Sequence, residues 1–198
     1  MAILLWSLGI GIAIVVVLRV RSLVAPRAFP PWMTPMLETP GRDRARILDR
    51  VGAAPGERVL EIGPGGGFIT EKALERVGET GRLVCLDVQI EMLRKVRARV
   101  GDGAGLVCAS GSQLPFRDGA FERAFLVSVL GEIPDKEGAC AELFRVIAPG
   151  GELAVEEGIP DPDYVRTPVL RRLAEGARFR TGQRVGSWAR YTQRFARP

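Results

Sequence analysis

The sequence predicts an α/β domain built on a parallel sheet, on three observations. From Arg58 onward, short apolar β runs alternate with stretches whose apolar residues fall at helical spacing, the pattern of β/α units with parallel strands. The first run, Val59-Leu60-Glu61-Ile62, breaks into Gly63-Pro64-Gly65-Gly66-Gly67 before Ile69, Ala73, Leu74 and Val77 resume at helical spacing: strand, tight turn, helix. The chain then closes on two strand-like runs, Phe179–Val185 and Trp188–Phe195, which form a hairpin.

At 198 residues the chain holds one good hydrophobic core and is too short for two ordinary domains with a linker. Ala2–Leu18 contains no charged residue and is apolar around the whole helix surface. Each Leu, Ile, Val or Phe at a helix centre favours bilayer insertion by about 0.3 to 0.6 kcal/mol. With Arg19 and Arg21 snorkelling behind it, the segment predicts a single transmembrane anchor over residues 1–21. A cleaved signal peptide competes, but the cationic n-region is missing, the apolar run is long, and the positive charges follow it. A buried core helix is the third reading. Arg19, Arg21 and Arg27 place the C-terminal side in the cytoplasm. Localisation is thus expected at the membrane, single-pass, with the globular domain cytoplasmic.

Residues 22–41 form a proline-rich connector, with Pro26, Pro30, Pro31, Pro35 and Pro40 interleaved by Phe29, Trp32, Met33, Met36 and Leu37. Proline forbids a long helix there, and the apolar side chains suit a membrane interface or a cover over a ligand cleft; a plain stiff linker is the alternative. The domain is expected over 42–198. Arg44–Val51 is helical through Ile47, Leu48 and Val51, and Ala54-Pro55-Gly56 ends it. Next come a strand over Arg82–Leu86 ending in Asp87, a helix over Ile90–Val100, and strands over Leu106–Ala109 and Phe125–Val129. A helix over Lys136–Ile147, the turn Pro149-Gly150-Gly151, a strand over Glu152–Val155 and a helix near Pro168–Ala177 lead to the hairpin. Ligands of such a sheet sit outside the carboxyl ends of its strands.

Net charge is +5, nearly all of the cations being arginine. That scatter is a solvated surface or favours an anionic membrane face; no basic helix interleaved with aromatics is present, so nucleic acid is not an expected partner. The chain has no histidine, which removes the commonest general base and metal ligand, and no metal site is expected. Cys85, Cys108 and Cys140 are an odd set in apolar contexts, read as buried packing thiols in a reducing compartment.

A glycine turn before a helix lets a ligand approach the backbone and meet free N–H groups, so a nucleotide-type guest is natural; a mere tight corner is the other possibility. The dinucleotide fingerprint places its third glycine sixth, where this chain has Phe68. Here Gly63, Gly65 and Gly67 alternate after Glu61. The pattern E-x-G-x-G-x-G resembles motif I of the class I S-adenosylmethionine-dependent methyltransferases. The resemblance extends over Arg42–Pro198 through CLDVQIEML, SQLPFRDGAFERAFLVSVL and ELFRVIAPGGELAVEE, in the family's order. It is most like the small bacterial and archaeal enzymes related to the menaquinone-type methylases. It implies a Rossmann-like sheet, mostly parallel with a C-terminal antiparallel hairpin, here preceded by one transmembrane helix. The implied cofactor is S-adenosylmethionine.

Asp87 lies just past a strand end and about twenty residues beyond the glycine turn, where a carboxylate accepts both ribose hydroxyl protons; a helix N-cap is the alternative. The resemblance implies that Gly63, Gly65 and Gly67 border the methionine moiety and that Glu61 anchors the loop and the ligand's ammonium. Val88, Ser110, Gly111 and Ser128 complete the implied cofactor set. Ser110 stands four residues before Leu114-Pro115-Phe116, where relatives commonly place an acid for the adenine amine; a hydroxyl accepts more weakly.

Methyl transfer from a sulfonium requires mainly alignment and exclusion of water. Ser128, Leu130 and Glu132 follow the fourth strand, where relatives meet substrate, often with a histidine pair; this chain has Gly131-Glu132. Glu132 is the catalytic candidate, to take a proton from a phenol or attract a cationic amine, or else a solvated carboxylate. One of Glu156 and Glu157 should face the cleft, since successive strand residues point oppositely. Asp161-Pro162-Asp163-Tyr164 is a substrate-side loop or a surface turn. The expected function is a membrane-anchored methyltransferase acting on an amphiphilic or lipid-like acceptor: a quinone precursor, a prenyl lipid or a phospholipid headgroup. A soluble small-molecule acceptor, or a tethered S-adenosylmethionine-binding protein without turnover, are the alternatives. Its expected partners are therefore the bilayer and a small-molecule or lipid-like acceptor.

Overall fold

Seven strands hydrogen-bond in the order β3-β2-β1-β4-β5-β7-β6 in the computed structural model, which describes residues 43–159 and 161–198. The predicted anchor over 1–21 and connector over 22–41 lie outside the described residues. Among the described residues no helix is long and apolar enough to cross a membrane. In chain order the elements are α1 (Arg44–Val51), β1 (Arg58–Ile62), α2 (Thr70–Val77), β2 (Arg82–Asp87), α3 (Ile90–Val100), β3 (Gly105–Cys108) and β4 (Phe121–Val127). A 3-10 turn over Leu130–Glu132, then α4 (Lys136–Val146), β5 (Ile147–Gly158), α5 (Thr167–Gly176), β6 (Arg180–Gly186) and β7 (Arg190–Ala196) follow.

Strands β1 to β5 are mutually parallel where they pair, whereas β7 runs antiparallel to both β5 and β6. The sheet is therefore mixed, with the hairpin at one edge, as the sequence predicts. Strand alternation divides the core. Val59, Leu83, Cys85, Phe125 and Ala154 pack under α1, α2 and α3 through Ile47, Leu48, Val51, Ala73, Val77 and Val96. Leu60, Leu86, Leu126 and Leu153 pack under α4 and α5 through Cys140, Leu143, Leu170 and Leu173. The two faces follow from the period of two along each strand and the apolar stripe of each helix. The order of strands reverses between β1 and β4, so the crevice for a ligand lies at their carboxyl ends.

Several boundaries differ from the sequence prediction for physical reasons. The fourth strand begins at Phe121 and stops at Val127, because Ser128 takes a left-handed backbone with φ 57. Pro149-Gly150-Gly151 does not precede the fifth strand but forms an irregularity inside it, where the pairing jumps from Phe121↔Ile147 to Arg123↔Glu152 and Gly150 has φ 79. Trp188 belongs to the turn before β7 rather than to the strand. Cys85 and Cys140 are buried, but Cys108 is exposed, because it ends the edge strand β3.

The arginines are not merely solvated. Arg123 is buried at the amino end of β4, with Nε donating to Glu57 at 2.9 Å and Nη1 to Glu152 at 2.5 Å. Arg178 and Arg197 lie over the Phe144 ring at 4.6 and 4.7 Å.

Candidate cofactor and acceptor site

The glycine turn is shaped by left-handed backbone at Gly63, Gly65 and Gly67, with φ 67, 55 and 82, conformations that glycine alone adopts without strain. At Gly63 a side chain would also collide with the Val129 methyl groups. The left-handed Ser128, whose N–H donates to Glu156 O at 2.8 Å, carries the chain to that contact. The carboxyl ends of β1 and β4 are thus packed together at the point where strand order reverses.

Glu61 is buried and accepts from Thr70 Oγ1 at 2.7 Å and from Cys85 Sγ at 3.5 Å. Burial pushes its carboxyl up to about 7, against the pull of those two bonds. It ties β1 to the first turn of α2 and so fixes the loop between them. Neither Thr70 nor Cys85 stands out in the sequence; a hydroxyl at the first helical position after the glycines is the only signal for Thr70.

Asp87 ends β2, buried. Its Oδ1 accepts from Gln89 N at 2.8 Å, and the backbone N–H groups of Gly65 and Val88 also act on the carboxylate. Burial raises it to about 6, with those N–H groups opposing. Asp87 thus serves the turn into α3, although Gln89 rather than Asp87 is that helix's N-cap, and also joins the glycine loop to β2. Beside it Val88 is 45% exposed. Across the β2–β3 pair, Asp87 is in register with Cys108, and Ala109 N donates to Asp87 O at 3.1 Å. This sets Ser110 next to the same edge, its Oγ 3.0 Å from Ser112 Oγ. Gly111 follows, where a Cβ would meet Ile133 Cδ1 at 2.8 Å. Glu61, Gly63, Gly65, Asp87, Val88, Ser110, Gly111 and Ser128 are therefore gathered along the carboxyl edges of β1 to β4. Gly67 is set back toward α3, where an added Cβ would meet Arg99 Cδ at 3.3 Å.

A second group lies at the ends of β4 and β5. Glu156 and Glu157 are both fully buried on opposite faces. Glu156 accepts from Thr192 Oγ1 at 2.8 Å and pairs with Arg190 at 3.5 Å. Glu157 accepts from Val165 N at 3.1 Å through Oε2, while its Oε1 has no hydrogen-bond partner among the described residues. Burial raises the Glu157 carboxyl to about 8, and the charges of Asp161, Glu132 and Asp163 add to the rise. Tyr191, opposite Glu157 on β7, donates its hydroxyl to Val165 O. The two strands thus fasten the 161–165 loop at the carboxyl end of β5. At Gly131 a Cβ would fall on the Asp163 carbonyl oxygen. Gly131 is therefore explained first by packing: the loop closes directly on it. Sequence reasoning missed Tyr191, whose role depends on pairing between distant strands.

Comparison with known proteins agrees with this geometry. A family model described as a methyltransferase domain matches residues 60–155. The ubiquinone/menaquinone biosynthesis C-methyltransferase UbiE of Vibrio cholerae is 36% identical over 115 residues, covering 56% of this chain and 44% of the relative. Its counterpart in Shewanella pealeana is 30% identical over 145 residues, covering 71% and 56%. The chain thus spans about half the length of the curated relatives it matches. The crystal structure of an S-adenosylmethionine-dependent methyltransferase from Aquifex aeolicus superposes with TM-score 0.76 at 23% identity, covering 84% of this chain and 98% of that one. This last likeness speaks to fold alone. The family match covers residues 60–155, just under half of the chain, and the fold is the Rossmann-like one of S-adenosylmethionine-dependent methyltransferases, with S-adenosylmethionine as the implied cofactor.

Proposed function

We propose that the chain is a methyltransferase whose acceptor is an amphiphile held at a bilayer surface: a quinone precursor, a prenyl lipid or a phospholipid headgroup. It would be held there by a single-pass anchor with the catalytic domain on the cytoplasmic side. The observation that carries the cofactor half is Asp87: a buried carboxylate bound to the glycine loop and followed by a bare apolar Val88. A carboxylate for ribose hydroxyls beside an apolar seat for a base fits an adenosyl group. S-adenosylmethionine supplies the electrophilic methyl when bound. Asp87 would accept the ribose hydroxyls, Ser110 and Gly111 would border the adenine, and Gly63, Gly65, Gly67 and Ser128 would line the methionine end, where Glu61 offers charge to the ammonium. Glu132 would stand on the acceptor side. The acceptor half is supported by the uncharged apolar run Ala2–Leu18 and by relatives that act in quinone biosynthesis.

Titration calorimetry of the full chain tests the cofactor half. Asp87→Ala should weaken S-adenosylmethionine binding by about 1 to 3 kcal/mol, roughly 5- to 150-fold, through stranded hydroxyls. Wild-type affinity should fall as pH drops through about 6, where Asp87 takes up a proton, and the variant should lack that component. Equal affinities would remove Asp87 from the site. For the acceptor half, radiolabelled cofactor is incubated with a lipid extract and with a soluble metabolite pool. Label is expected in lipid, and a chain truncated before Arg27 should lose most turnover on membrane-embedded acceptor while still binding cofactor. A soluble acceptor bearing an amine is the second reading, favoured by the carboxylates Glu132, Asp161 and Asp163, whose charges act on Glu157 at one strand end. Label confined to the soluble pool, at equal rates for both chains, would select it.

A further inference from the structure

Among the described residues, four large hydrophobics are exposed: Val88, Ile90, Ile159 and Trp188. All four lie on one edge of the molecule. Val88 and Ile90 follow the carboxyl end of β2. Ile159 follows the carboxyl end of β5. Trp188 is in the turn between β6 and β7, which reaches the same edge because β7 is antiparallel and pairs Arg190 with Gly158. Ile159 N donates to Ala189 O at 2.9 Å, so Ile159 and Trp188 flank a single rung. The proposed adenosyl contact accounts for Val88. It does not account for Trp188, which is 78% exposed and stands four strand spacings from β2, roughly 19 Å away.

The backbone that presents this indole is held in place. Tyr164 Oη donates to Trp188 O at 2.6 Å, and Arg184 Nη2 donates to Ser187 O at 2.7 Å. Exposed Arg166 and half-buried Arg184 and Arg190 surround the turn, Arg184 Nε reaching Thr167 Oγ1 at 3.2 Å. The acids Glu156, Glu157 and Asp163 at this edge are buried, and Glu132 and Asp161 are half-buried. An exposed tryptophan on a held backbone, with exposed Arg166 beside it, suits the boundary between lipid headgroups and acyl chains.

The chain outside the described residues joins the domain at this edge too. Arg44, the first residue of α1, donates to Glu71 at 2.8 Å and lies over the Phe68 ring at 5.3 Å, next to the glycine loop. The other end of α1 points to the opposite edge, where Val51 O accepts from Arg123. Residues 1–42, with the uncharged apolar run Ala2–Leu18, therefore connect on the side that carries Trp188.

We propose that the carboxyl edge of the sheet docks on a phospholipid bilayer, with Trp188 and Ile159 at the headgroup–acyl boundary and Arg166 toward lipid phosphates. The inference rests on the bilayer-held acceptor only for its purpose: the mouth of the proposed cleft opens onto the layer that holds that acceptor. The test uses the full chain carrying Trp6→Phe and Trp32→Phe, which leaves Trp188 as the one tryptophan of three. The protein is reconstituted in phosphatidylcholine–phosphatidylglycerol vesicles. Brominated lipids with shallow bromines should quench Trp188 emission and shift what remains to the blue, while aqueous acrylamide loses access. Quenching by acrylamide with none from brominated lipid overturns the proposal. Quenching by neither means a protein cover, such as the connector or a second copy, and overturns it as well. Should the double variant fail to fold, hydrogen exchange of the wild-type chain decides: amides 186–189 should exchange more slowly in vesicles than in detergent, and unchanged exchange refutes docking. Neither readout uses turnover, so docking can fail while label still enters lipid, and the reverse.

Discussion

Gly131→Ala is expected to cost about 3 kcal/mol of stability and to free the 161–165 loop from the sheet. A Cβ at Gly131 falls on the Asp163 backbone, and its nearest three neighbours are the Asp163 carbonyl oxygen, carbonyl carbon and Cβ. Backbone cannot rotate away as a side-chain end does, so either the 3-10 turn over Leu130–Glu132 or the loop must move. Moving the loop pulls Val165 N from Glu157 and Val165 O from Tyr191, leaving two buried polar groups unsatisfied. Denaturant unfolding measures the loss, and exchange of the Val165 amide reports the loop. Gly176→Ala is the control. It sits at the end of α5 with nothing within 4 Å of an added Cβ, so alanine should be neutral or stabilise by a few tenths of a kcal/mol. If Gly131→Ala unfolds like Gly176→Ala, the closure of the loop on Gly131 is adaptable, and the glycine has another reason.

What was legible in the sequence is what short-range geometry dictates. Gly63, Gly65 and Gly67 announce left-handed backbone because few other residues tolerate it, and Asp87 announces a strand end because an acid closes an apolar β run before helical spacing begins. Both predictions agree with the structure, since strand, turn and helix are each decided within a few residues. The hairpin is legible for the same reason, although its turn takes in Trp188. Partnerships between distant segments are not legible. Glu61 finds Cys85 across β1 and β2, and Arg123 finds Glu57 and Glu152 across three strands, so an arginine that reads as one of many surface cations is a buried tie. Cys108 reads as buried because its neighbours are apolar, but apolar neighbours do not cover a residue whose strand lies at the sheet edge. Gly131-Glu132 reads as a change in substrate chemistry. Only the fold shows that Asp163 leaves no room for a side chain there.

Glu157→Gln is expected to leave stability unchanged in acid and to raise it by about 5 kcal/mol above pH 8. Glu157 is fully buried, with one oxygen on Val165 N and the other unpartnered among the described residues. Burial first, then the charges of Asp161, Glu132 and Asp163, hold its carboxyl at about 8 rather than 4.5. The folded chain therefore keeps a proton that the unfolded chain releases. Below pH 4.5 both states are protonated and Glu157 imposes no penalty. Between 4.5 and 8 the unfolded state gains by ionising, so the stability of the wild type falls as pH rises, and the loss is complete above 8. Glutamine stays neutral at every pH, its amide oxygen can retain Val165 N, and its NH2 can donate toward the surrounding carboxylates. Glu61 and Asp87, raised to about 7 and about 6, slope the same way in both proteins, so subtracting the two stability curves isolates Glu157. The difference should grow from nothing near pH 4 to a plateau above pH 8, measured by urea unfolding across that range. A flat difference would mean that water or a bound cation reaches the unpartnered oxygen and lets Glu157 ionise normally. A plateau with unchanged cofactor affinity and lost turnover would move Glu157 from fastening the loop to handling the acceptor.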